Sequence, residues 1–145
     1  MSRAAVLDTI LADPGLIALG FNDTNVKVNY DSNQRPSDTM FMVLHWDQEQ
    51  PGLRGDDTIV YKPFKNLIIW IHVYKEFSTD FIRIDNVIDI LDSIMTSMIH
   101  VDGADGYTVS LAEVGQRSRD LRDDAYQTIC RSASYRILDR VTAPV

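Results

Sequence analysis

Three histidines, His45, His72 and His100, are the side chains best suited to hold a metal or move a proton. They fall in different stretches, and none stands at the short spacing of a zinc site. His45 and His72 could lie on adjacent strands, which leaves a two-histidine site open. With no carboxylate or thiolate at matching spacing, both read better as structural histidines. Asp102-Gly-Ala-Asp105-Gly106 looks like a fragment of a calcium loop, but it lacks the alternating ligands and the closing glutamate, so it reads as a turn. Cys130 is the single cysteine, which excludes an intrachain disulfide and a multi-cysteine metal site. It has no histidine near it in sequence and reads as a small packing residue. Asp120 and Asp123 could form an acid/base pair, yet no nucleophile or ligand stands beside them. No glycine-rich phosphate loop, GxSxG or Walker pattern occurs. No catalytic constellation stands out and no cofactor or metal is expected, but the motifs alone do not say what the chain does.

Charge is the other chemistry on offer. Arg117, Arg119 and Arg122 alternate with Asp120, Asp123 and Asp124 inside eight residues. The bland reading is a solvated loop whose ion pairs contribute little. The alternative is a charge network between subunits that sets their register. The net charge of -7 argues against a free DNA-binding surface, which needs clustered Lys and Arg. It is compatible with a channel that DNA slides through, because an acidic wall repels phosphate. One cysteine suggests a reducing compartment. The first residues lack the apolar core of a secretory signal. The longest apolar run, within residues 67–73, is far too short to span a bilayer.

These residues must be positioned by a small number of elements. The organising stretch is 66–98. Residues 66–74 read as a strand buried on both faces, with Leu67, Ile69, Ile71 and Val73 on one side and Ile68, Trp70, His72 and Tyr74 on the other. Ile84, Val87, Ile88, Leu91, Ile94, Met95 and Met98 then recur at steps of three and four, one apolar face of a helix. Ser78, Thr79 or Asp80 can cap it. Before this spine, Ser2 can cap a first helix striped by Val6, Leu7, Ile10 and Leu11. Asp13-Pro14 interrupts it and can start a second turn, with Gly20 as its stop. Val26, Val28 and Tyr30 alternate with polar residues as a half-wet strand, and 40–46 reads as an internal strand. Residues 47–65 form the longest irregular segment, with 58–62 as a candidate short strand; it is either a surface loop or an arm that orders on assembly. After the spine come a turn at 101–106, a half-buried strand through Tyr107, Val109 and Leu111, a charged irregular stretch at 115–124, and a long strand at 126–138. Residues 141–145 read as a loose tail.

A chain of 145 residues with 45% hydrophobic content makes one domain. The expected class is α+β: a mostly antiparallel or mixed sheet of four to five strands, with two main helices on one face. Two features point to self-association. Trp70, His72 and Tyr74 lie on the face without helices, and exposed aromatics in a row mark a partner surface. The last strand would also run about 43 Å, against a radius of gyration of roughly 15 Å, so one end should project or rest on a neighbour.

The stretch Ser118-Arg-Asp-Leu-Arg-Asp-Asp-Ala-Tyr-Gln-Thr-Ile-Cys-Arg-Ser-Ala-Ser-Tyr-Arg-Ile-Leu138 resembles the end of tail terminator proteins from long-tailed, non-contractile phages of actinobacterial hosts. There an acidic turn leads into a final strand of the form Arg-x-Ala-x-Tyr-Arg-hydrophobic. The opening helix, the spine strand and the helix after it fit the same plan. The resemblance implies a non-enzymatic virion protein. Such proteins form a ring, usually a hexamer, on the head-proximal end of the tail tube, where it stops polymerisation and joins the filled head. The implied partners are other copies of the chain, the tail tube protein and the head-neck connector proteins; DNA only passes through the lumen. On this reading Arg54, Asp56 and Asp57 are contact residues of the 47–65 arm, and the 117–124 cluster is a subunit interface. A head-completion or connector protein, and a small α/β ligand-binding or enzymatic domain using the His45/His72 face, are the other readings.

Overall fold

The computed structural model describes residues 2–28, 39–49, 54–55, 58–59 and 64–142. In chain order its elements are α1 (Arg3–Ala12), α2 (Pro14–Ala18), β1 (Val26–Val28), β2 (Met40–Glu49), β3 (Arg54–Gly55), β4 (Thr58–Ile59), β5 (Phe64–Tyr74), α3 (Ile82–Ser97), β6 (Val101–Asp102), β7 (Tyr107–Arg117), β8 (Leu121–Asp123) and β9 (Thr128–Val141).

Local chemistry explains the first turns. Asp13 accepts a bond from the Leu16 amide at 3.0 Å and Pro14 follows it, so one helix ends and the next is capped by the same dipeptide. Gly20 sits at φ 96°, the left-handed stop that other residues adopt only with strain. At α3, Asp80 accepts from the Ile82 amide at 2.9 Å. The seven expected apolar positions of α3 are all buried.

Among the described residues the class is α+β with three helices, and the main sheet is mixed and seven-stranded. Its order is β1-β2-β5-β9-β7-β6, with β8 also paired to β9. All pairings are antiparallel except β1 with β2. This exceeds the four to five strands expected. The additional strands are very short: β6 has two residues and β8 three, too few to show alternation. β3 and β4 form a separate two-stranded ladder.

β5 is central, with β2 on one side and β9 on the other. Leu67, Ile69, Ile71 and Val73 are fully buried and join Met42, Leu44, Ala133, Tyr135 and Ile137 in one core under α1, α2 and α3. The helices therefore cover one face of the sheet, as the period-two pattern requires.

Four expectations are corrected. The last strand does not project. From Thr128 to Leu138 it pairs with β5, and on its other edge β8 and then β7 cover it, so its length is absorbed inside the chain. The stretch 115–124 is not irregular throughout: β7 continues to Arg117, and β8 follows. The 47–65 segment is shorter at both ends, because Asp47 belongs to β2 and Lys65 to β5. Ser2 does not cap α1 with its own side chain; its amide and hydroxyl both donate to Asp139, at 2.7 and 3.0 Å.

Gly115 marks a bulge between β7 and β9, where the register shifts between Val114 and Arg117. Across it, the Ser134 hydroxyl accepts from the Gln116 amide at 2.8 Å and donates to the Gln116 carbonyl at 3.2 Å. A Cβ on Gly115 would lie 2.6 Å from that hydroxyl oxygen and 2.8 Å from the Ser134 carbonyl oxygen. Gly115→Ala should therefore cost about 1–3 kcal/mol, read as a lower urea midpoint with an unchanged m-value. An unchanged midpoint would show that the strands separate freely there.

Candidate interaction face

The helix-free face of the sheet is built from the residues that alternate with the core. β2 contributes Phe41, Val43 and His45; β5 contributes Ile68, Trp70, His72 and Tyr74; β9 contributes Cys130, Ser132 and Ser134. The register sets Phe41 opposite His72, Val43 opposite Trp70 and His45 opposite Ile68. It also sets Trp70 opposite Ser132 and Ile68 opposite Ser134.

One end of this face is closed. His72 is 6% exposed and Tyr74 2%, so the expected row of open aromatics is reduced to Trp70, which is half-buried. Phe41 stacks on the His72 ring with centroids 4.5 Å apart, and Tyr126 stands edge-on to both at 5.5 and 5.7 Å. The connection from β8 to β9 folds back and supplies Tyr126 as a lid. Side-chain spacing along β5 could not show this, because the lid arrives from a residue more than fifty positions away.

His72 Nδ1 lies 2.8 Å from the Thr128 hydroxyl. Burial lowers its pKa to about 4, only partly offset by the carboxylate of Asp123. In the unfolded chain the imidazole takes a proton near pH 6.5. Stability should thus fall as pH drops from about 6.5 toward 4, by up to about 1.4 kcal/mol per pH unit, and the loss should level off below. Denaturant midpoints of the wild type and His72→Phe across that range check this: the slope should vanish in the variant. An equal slope in both would place the titrating group elsewhere. His45 is exposed and lies about 13 Å along the strands from the His72 position, so the two do not form a metal site. Among the described residues no group of three or more His, Cys, Asp or Glu could hold a metal ion. Burial, with a smaller contribution from the Asp123 carboxylate, also raises the Cys130 pKa to about 11, which leaves the thiol unreactive.

The other end of the face is open. Asp47, Asn66, Ile68, Ser132, Ser134 and Arg136 line a trough of about 510 Å³, which Gly115, Gln116 and Arg117 of β7 and the following Ser118 close. The small residues of β9 make it: the serines leave room where larger side chains would fill the surface.

The charged cluster is divided between the two sides. Arg117 pairs with Asp92 on α3 and lies over the Tyr135 ring at 5.4 Å, while the Tyr135 hydroxyl donates to the same carboxylate at 2.7 Å. Arg131 bridges Asp85 on α3 at 2.5 Å, Asp120 at 3.6 Å and the Ser118 carbonyl at 3.1 Å. Asp124 meets Lys75 at 3.5 Å, and Asp123 accepts from the Tyr126 amide at 3.2 Å. These contacts anchor the sheet edge to α3 and leave Arg117 and Asp120 occupied within the chain. Arg119 and Arg122 are exposed, without an ion pair among the described residues. Of the 47–65 contact residues, Arg54 starts β3, and Asp56 and Asp57 lie outside the described residues.

No family model matches the chain, and no curated protein matches it. Fourteen chains of known structure do. One of them, whose name states no activity, is 12% identical over 100% of this chain and 99% of its own, with a TM-score of 0.50. That likeness concerns the fold. No helix among the described residues is long and apolar enough to cross a membrane.

Sequence reasoning missed the buried group of Ser2, Lys65 and Asp139. The Lys65 ammonium donates to Asp139 at 2.7 Å, and the carboxylate's other oxygen takes both Ser2 bonds. The one available signal was a lysine and an aspartate at core-facing positions of two strands.

Proposed function

We propose that this chain is the subunit of a ring that caps the head-proximal end of a phage tail tube, stops its polymerisation and offers the surface that joins the filled head. The observation that carries the reading is the half-open sheet face. Three helices close one side of the sheet, while on the other Trp70, Ile68 and Val43 stay half-buried beside a trough floored by serines. An apolar and small-residue sheet surface of this kind is what a neighbouring subunit covers. Head-to-tail contacts that use two different surfaces of each copy close into a ring when the rotation divides a full turn. The likeness of residues 118–138 to tail terminators supplies the kind of ring. The acidic balance of the chain suits a lumen crossed by DNA.

The test is native mass measurement and negative-stain imaging of the pure protein, with hexameric rings expected. A monomer at every concentration would refute the reading. Incubation with purified tail tubes should then block their further elongation; binding to portal-loaded heads and not to tubes would assign the chain to the connector instead.

A further inference from the structure

Beside the trough lies a smaller hollow of about 250 Å³, lined by Val43, Trp70, His72, Asp123, Tyr126 and Cys130. His72 and Cys130 are buried and form its floor; Trp70, Tyr126 and Asp123 are half-buried at its mouth. The His72 ring stands between the other two, 6.4 Å from Trp70 and 5.7 Å from Tyr126. Burial leaves His72 neutral and Cys130 protonated near pH 7, so Asp123 is the charged group of the hollow. No cation pairs with it among the described residues. A carboxylate flanked by Trp and Tyr rings attracts a guanidinium or an alkylammonium group, and more strongly as the site is desolvated.

We propose that this hollow is a cation cage that receives the guanidinium of Arg122 from a second copy of the chain. The inference rests on the ring reading and names one contact of that ring. The source of the cation follows from the charges and the register. Lys65, Lys75, Arg117, Arg131 and Arg136 have carboxylate partners within the chain. Arg3 and Arg83 lie over the rings of Trp46 and Phe77. Lys27, Arg119, Arg122 and Arg140 have no such partner among the described residues, and of these four Arg122 is the one that shares β8 with Asp123. It cannot serve its own cage. On β8, Leu121 is opposite Cys130, Arg122 opposite Ile129 and Asp123 opposite Thr128. Ile129 belongs to the helix-side core, so Arg122 points away from the face that carries the cage. One edge strand thus presents the acceptor on one face and the cation on the other. Such a pair is satisfied only between copies, and it repeats head to tail.

Native mass spectra of four samples at one protein and salt concentration test this: wild type, Asp123→Lys, Arg122→Asp, and a 1:1 mixture of the two variants. Each variant alone should associate at least about tenfold more weakly than wild type. The mixture should recover assembly, since each copy then meets its opposite charge. Far-UV circular dichroism establishes that the variants fold; if Asp123→Lys does not, Asp123→Asn is measured alone, and association equal to wild type then overturns the cage. Wild-type rings with variants that assemble equally well overturn the cage and leave the ring reading standing. A wild-type monomer overturns both. Folded monomeric variants that fail to recover on mixing overturn the pairing. A second arm titrates N-acetylarginine amide and reads tryptophan fluorescence against Trp70→Phe. A saturable signal from Trp70, with variants that assemble normally, assigns the cage to a cation from outside the chain and overturns Arg122 as its source.

Discussion

Asp139→Ala should cost the domain about 3–5 kcal/mol, the penalty for leaving a buried charge without its partner. Lys65 and Asp139 are 10% and 2% exposed at their side chains, so water cannot replace the lost carboxylate. Asp139 also takes the Ser2 amide and hydroxyl at the start of α1, and thus ties the first helix to the ends of β5 and β9. Lys65→Met with Asp139→Leu should recover most of the loss, because two apolar residues remove both charges together. The pH dependence has its own sign. Burial pushes the Asp139 carboxyl up, but the bonds from Lys65 and Ser2 outweigh it and hold it below the ordinary value. Its contribution is complete above about pH 4, the unfolded value, and is lost as pH falls further. That window lies below the one set by His72, so acid denaturation should proceed in two separable stages. Urea midpoints of the single and double variants measure the first claim. A single variant within about 1 kcal/mol of wild type would show that water reaches the group.

Ile69→Ala and Trp70→Ala should separate the two faces of β5. Ile69 is fully buried in the core under the helices, and its truncation should cost about 2–5 kcal/mol. Trp70 is larger but half-buried, and its truncation should cost the monomer only about 1–2 kcal/mol. Assembly should show the opposite order: Trp70→Ala should weaken it, while Ile69→Ala at a temperature where it remains folded should not. Equilibrium unfolding and native mass spectra on the same two variants give the comparison. A Trp70→Ala protein that assembles as well as wild type would remove Trp70 from the contact.

Much of the architecture was legible in the residues. Asp13-Pro14 and Gly20 place the early turns, because capping and left-handed backbone are decided within a few bonds of the chain. The three-four spacing from Ile84 to Met98 and the alternation from Leu67 to Tyr74 identify the spine, because side-chain direction follows the period of the element. The division of β5 into a core face and a face without helices was correct on the same ground.

What folding adds is the meeting of residues far apart in sequence. The lid of Tyr126 over Phe41 and His72, the pairing of Asp92 and Asp85 with Arg117 and Arg131, and the burial of Lys65 on Asp139 have no local signature. Each depends on the register of β5, β7 and β9. Flanking of β9 by two successive strands likewise cancels a projection that its length implied. Periodicity, which belongs to the chain itself, determined which residues share a face; only tertiary structure decided which of those faces are closed, since closure depends on where distant segments return.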